Sequence, residues 1–184
     1  MQRPLEMSKI DAASASGVAD PPKSVVIDTN VILDMFLYSD PRASALVSAL
    51  NSGELQWLAT RVMREELARV LQYEHLQKRL MAKASAVGAS SDEGSATASA
   101  SASATALLIL ETMDQQAHVL EVAPRASYVC KDVDDQKFID LAQAHRSMLI
   151  SKDKAVLSMK NRMARVGVHV MSVYEKTSSR EQGQ

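Results

Sequence analysis

The sequence predicts an α/β fold with a central, mostly parallel sheet and helices on both faces. Three observations carry this expectation. Short β-branched or aliphatic runs alternate with segments of 3.6-residue apolar period. The 184 residues suit one domain with some tail. Hydrophobic residues make up 46% of the chain, enough to cover both faces of a sheet, and with only 4% aromatic the core must be aliphatic.

Residues 1–22 are small and polar, with Ala12-Ala13-Ser14-Ala15-Ser16-Gly17 and Pro21-Pro22, and show no period of 2 or 3.6. They read as a flexible N-terminal tail; residues 177–184 read as a C-terminal one, leaving 23–176 as the domain. Ser24-Val25-Val26-Ile27 is the first strand, a β-branched run suited to burial on both faces. A helix is expected over 31–37, a strand over 55–59 and a helix over 62–73, with Met63, Leu67, Val70 and Leu71 on its apolar side. Residues 84–105 are almost wholly Ala, Ser, Gly and Thr, a low-complexity insertion expected to be flexible because it offers no apolar face. Helical pattern resumes over 107–120. Then follow a strand at 128–130, a helix at 135–145, a strand at 148–150, a helix over 154–166 closed by Gly167, and a last strand at 168–171.

A net charge of -1 provides no global basic field, so any nucleic-acid partner must be held by local charge. Cys130 is the only cysteine, which excludes an intramolecular disulfide and a cysteine zinc site within one chain. The first 22 residues lack an apolar leader core, and the longest apolar run, 106–110, is far short of a membrane span. A soluble protein of a reducing cytoplasm is the expectation.

Three aspartates occupy equivalent places, Asp28, Asp135 and Asp153 each following a predicted strand. The carboxyl ends of parallel strands share one edge, where ligands bind, so these acids should gather there. Singly, each reads as a helix N-cap. Together they repel, by about 4 kcal/mol for two carboxylates ~4 Å apart at an effective dielectric of ~20, so a cation or shared protons must offset them. Oxygen-only ligands suit Mg²⁺ or Mn²⁺. Glu66 shares a helical stripe with Val62 and Val70 and is the fourth acid, whereas Glu65 lies between Arg61 and Arg69 on a solvated face. In Asp132-Val133-Asp134-Asp135 the first acid reads as a possible N-cap, and geometry separates Asp134 from Asp135 only weakly.

Asp28-Thr29-Asn30-Val31 behind its strand, Glu66-Leu67-Ala68-Arg69-Val70-Leu71, Asp132-Val133-Asp134-Asp135-Gln136-Lys137-Phe138, and Leu149-Ile150-Ser151-Lys152-Asp153 together resemble the PIN domain. The nearest group is that of bacterial toxin components of toxin–antitoxin systems. The resemblance runs from about Ser24 to Tyr174 and leaves out the tail and the Ala/Ser insertion. It implies a three-layer α/β/α sandwich and an acidic pocket holding Mg²⁺ or Mn²⁺, with endoribonuclease activity on RNA. It further implies a cognate antitoxin and a homodimer. By position, Asp28, Glu66, Asp135 and Asp153 match the four acids, with Asp132 a further metal ligand. Asn30, Thr29 and Ser151 match supporting polar positions, Asn30 orienting the first acid. Lys152 and Lys154, followed on the same helix by Lys160, Arg162 and Arg165, are phosphate-binding candidates or simply a solvated helix face.

Other strand-end aspartate chemistries fit less well. A haloacid dehalogenase phosphatase needs a second Asp where Asn30 stands, and a phosphoacceptor receiver needs acids and a lysine in an order not found here. The competing class is a PIN-like module that binds RNA or protein without cleaving it.

Overall fold

The computed structural model describes residues 23–86 and 95–176, so both expected tails and residues 87–94 of the insertion lie outside it. The elements run β1 (Lys23–Ile27), α1 (Thr29–Phe36), a short 3₁₀ turn (Pro41–Ala43) leading into α2 (Ser44–Asn51), β2 (Leu55–Thr60) and α3 (Arg61–Val70). They continue with α4 (Glu74–Ala86), α5 (Ser95–Gln116), β3 (Ala117–Leu120), α6 (Gln136–His145) and β4 (Met148–Ile150). The chain closes with α7 (Lys154–Leu157), α8 (Lys160–Ala164) and β5 (Val170–Met171).

The five strands form one sheet in the order β3-β2-β1-β4-β5, every pair parallel. This is the helix-flanked parallel sheet the sequence predicts. Strand β1 is central because Val25, Val26 and Ile27 are apolar on both pleats, and all three are buried. Chain order reverses at β1, with β2 on one side and β4 on the other, so the carboxyl ends of β1 and β4 flank a topological switch point. The backbone is tied across it, Asp28 N–H donating to the Ile150 carbonyl at 2.9 Å.

Three parts of the chain differ from expectation. Residues 128–130 are not a strand; the strand beside β2 is β3, taken from the end of the segment expected to be helical through 120. The reason lies in α6, whose Gln136, Asp140 and Gln143 form one polar stripe. Gln136 Oε1 accepts from Cys130 N–H at 2.6 Å, and its Nε2 donates to the Tyr128 carbonyl at 3.2 Å. Asp140 and Gln143 accept from the backbone N–H groups of Ala126 and Ser127 at 2.8 and 3.1 Å. These side chains take the backbone groups that a strand ladder would use. In 117–120, pairing to Trp57, Leu58, Ala59 and Thr60 overrides a helical period that weak helix formers such as His118 and Val119 support poorly.

The second difference is the Ala/Ser tract, whose residues 95–105 form the first half of α5 rather than a flexible segment. Alanine itself supplies the docking face: Ala102, Ala106, Ile109 and Met113 recur at helical spacing and are all buried. They pack with α4, which buries Leu76 and Leu80. The helix expected over 154–166 is also broken, into α7 and α8, and ends at Gly167, whose φ of +79° an L side chain would resist. No helix among the described residues is long and apolar enough to cross a membrane.

Candidate active site

A cleft of about 490 Å³ lies between α1 and α3 at the carboxyl edge of the sheet, and Asp28, Glu66 and Asp135 all line it. Asp28 reaches it as the residue joining β1 to α1. Its Oδ1 caps α1 by accepting from Asn30 N–H at 3.3 Å, and its Oδ2 accepts from Ser151 Oγ at 2.5 Å. The capping role and a place in the cleft therefore coexist. Burial raises the Asp28 carboxyl above its ordinary range; Glu66 and Asp153 add to the rise, while the hydrogen bonds from Ser151 and Asn30 oppose it.

Glu66 comes from α3, entered through Thr60, whose hydroxyl caps Met63 N–H at 3.4 Å. Buried Met63 and Leu67 hold the helix against the core and turn Glu66 into the cleft. There Oε1 accepts from Thr29 Oγ1 at 2.9 Å and Oε2 meets the amine of Lys137. Glu65 instead pairs with Arg61 at 3.0 Å in the open.

Asp135 is the N-cap of α6 but makes no side-chain capping bond, which leaves its carboxylate to the cleft. Burial, followed by the charges of Asp28, Asp153 and Asp132, raises it to about 7, with Lys137 opposing. Such a shift marks a carboxyl that is partly buried beside other carboxylates. Asp132, exposed, accepts from Asp134 N–H at 2.9 Å in a local turn, and Asp134 lies in a neighbouring depression beside Glu65 and Lys137. Of the two N-cap readings the sequence allows, Asp132 and Asp135, the structure has Asp135.

Asp153 stands one step back. Its Oδ1 caps α7 through Ala155 N–H at 2.5 Å, its own N–H donates to Ser151 Oγ at 3.0 Å, and it is not among the residues that line the cleft. Ser151 consequently bridges Asp153 and Asp28. Asn30 lines the cleft, and the contact it makes with Asp28 is through its backbone rather than its side chain. Lys152 also lines it, its amine against Asp34 and 3.3 Å from Asp40 Oδ2, whereas Lys154 is exposed outside it.

Among the described residues, no three His, Cys, Asp or Glu side chains are close enough to hold one metal ion. The residues fit Mg²⁺ or Mn²⁺ by donor type and by excess negative charge, not as a finished coordination sphere. Lysines take part of the offsetting role that repulsion demands. Lys137, which meets Glu66, carries no sequence signal that would mark it, because its partner comes from another helix. Asp34, which also lines the cleft, belongs to no motif that could have marked it.

Comparison with curated proteins and with solved structures gives no match. The PIN domain family matches residues 24–155, well over half of the 184 residues, from β1 to the start of α7. The chain, whose parallel sheet gathers acids from β1, α3 and α6 at one switch point, belongs to the PIN domain family.

Proposed function

We propose that this protein is a metal-dependent endoribonuclease that hydrolyses RNA phosphodiester bonds, with Mg²⁺ or Mn²⁺ entering the cleft that Asp28, Glu66 and Asp135 line and drawing their carboxylates together on binding, and with Asp153 behind. The observation that carries the reading is that three carboxylates from distant segments line a single cleft at the sheet's switch point. The bound cation would supply Lewis-acid polarisation of the phosphodiester and a lower pKa for the attacking water. Asp135, whose ionised form a cation in the cleft would favour, could then accept that water's proton. Ser151 and Thr29 orient Asp28 and Glu66, and Lys152, paired with Asp34 and Asp40, lines the cleft beside them.

The narrower reading, a cytoplasmic toxin acting as a homodimer and neutralised by a cognate antitoxin protein, rests on the motif resemblance. Its test is the gene next door. For the nuclease itself, RNA is incubated with Mn²⁺ and either the native chain or Asp28→Asn. Loss of cleavage in the variant is expected; equal cleavage by the two would place the activity elsewhere or in a contaminant.

A second reading, a PIN-like module binding RNA or protein without catalysis, is favoured by the Lys137 amine already seated on Glu66. A thermal melt with and without Mn²⁺ separates the two, because an ion that binds only the native fold raises its stability by mass action. No shift would favour the module.

A further inference from the structure

The chain has seven aromatic residues, four Tyr, two Phe and one Trp. Phe36, Trp57, Tyr128, Phe138 and Tyr174 are buried or half-buried. The two exposed ones, Tyr38 at 45% and Tyr73 at 47%, both line the cleft that holds Asp28, Glu66 and Asp135.

Both lie just past helix ends, Tyr38 two residues after α1 and Tyr73 three after α3. Asn30 and Asp34 on α1, and Glu66 and Val70 on α3, are each four apart and line the same cleft. The eight residues of α1 span roughly 12 Å and stand between Asp28, before the helix, and Tyr38, beyond it. Both backbones are pinned. Tyr38 N–H donates to the Leu33 carbonyl at 2.9 Å and Tyr73 N–H to the Val70 carbonyl at 3.0 Å, while the Tyr73 carbonyl accepts from Leu76 and Gln77 at 2.9 Å each. The His75 ring stands 6.1 Å from that of Tyr73. A rigid backbone presenting an exposed ring costs little ordering on binding, and every unpaired base has a π-face to offer it, whereas bases in a duplex are already stacked.

We infer that Tyr38 and Tyr73 are base-stacking residues, gripping unpaired nucleobases of an RNA strand whose backbone runs between α1 and α3 towards Asp28 and Asp135. This rests on the nuclease reading for the identity of the polymer, and the test is built to fail separately from it.

The probe is a fluorescein-labelled 2′-O-methyl ten-nucleotide single strand, with its duplex form as comparison, titrated by anisotropy in Mg²⁺ buffer. Tyr38→Ala and Tyr73→Ala are each expected to weaken single-strand binding by about 5- to 150-fold, with binding rescued by Phe at the same position. Thermal melts confirm that the exposed-site variants fold. Unchanged affinity in both Ala variants, or duplex bound as tightly as single strand, overturns the inference even if the native chain cleaves RNA. Affinity lost in the Ala variants of a chain that cleaves nothing supports the stacking role while removing the nuclease. A native chain that binds no oligonucleotide overturns the inference, and cleavage is then read on its own.

Discussion

Ser151 Oγ donates to Asp28 Oδ2 over 2.5 Å, a buried bond between residues 123 positions apart in the chain. The same oxygen accepts from Asp153 N–H, so one hydroxyl sets the spacing between the acids that follow β1 and β4.

Ser151→Ala leaves Asp28 Oδ2 buried without its donor. A stranded acceptor of this kind costs about 1–3 kcal/mol, more for a charged group. Urea denaturation at pH 7 should show a loss of that order. The bond also lowers the Asp28 carboxyl, so the variant should hold its Asp28 proton to higher pH than the native chain. Full native stability in the variant would mean that water replaces the hydroxyl.

Stability should fall between about pH 4 and pH 7 when no divalent ion is present. Asp135 ionises at about 7 in the fold against 3.8 as its reference value, so between those pH values the native state holds more protons than the unfolded chain. Unfolding free energy then declines as pH rises, and the loss is complete above about 7. Asp28 is shifted in the same direction. Glu54 and Asp114, lowered by Lys176 and Arg64, act oppositely and only in acid, where their protonation removes stability. Melts in EDTA across this range test the slope, which Asp135→Asn should flatten; an unchanged slope in that variant would assign it to other groups.

Lys137→Met removes the cation that meets Glu66, a pair whose side chains are 18% and 17% exposed. The cost in EDTA should lie between that of a surface pair, about 1 kcal/mol, and that of a buried one, about 3–5 kcal/mol. If Glu66 helps to bind Mn²⁺, the ion should raise the variant's melting temperature more than it raises the native one. An equal or smaller rise would show that lysine and metal do not compete for this carboxylate.

Ala102→Leu tests the docking of α5. Ala102 is fully buried, and adding methylenes to such a site costs about 1–3 kcal/mol. Exposed Ala104 is the control, where leucine should change stability by less than about 0.5 kcal/mol. Thermal melts of the two variants decide, and equal values would mean that this turn of α5 does not pack as described.

Local sequence determined the parallel α/β class, because the periods of strands and helices are written into consecutive residues and the buried runs Val25-Val26-Ile27 and Leu149-Ile150 need both faces covered. It likewise marked Asp28 and Asp153 by strand-end position and Glu66 by helical phase, which are short-range properties, whereas Asp135 follows no strand, since 128–130 is not one, and was marked over Asp134 by the motif resemblance. Only the tertiary structure decided that Asp28, Glu66 and Asp135 line one cleft while Asp153 caps α7 behind Ser151, that Lys137 meets Glu66, and that residues 117–120 displace 128–130 from the sheet. Each of these depends on partners distant in the chain or on side chains of another element: Thr29 and Lys137 for Glu66, β2 for β3, and the Gln136 amide for the segment before α6. Period and propensity cannot report which such group satisfies a carboxylate or a backbone N–H, because that choice is made by the geometry of the packed sheet.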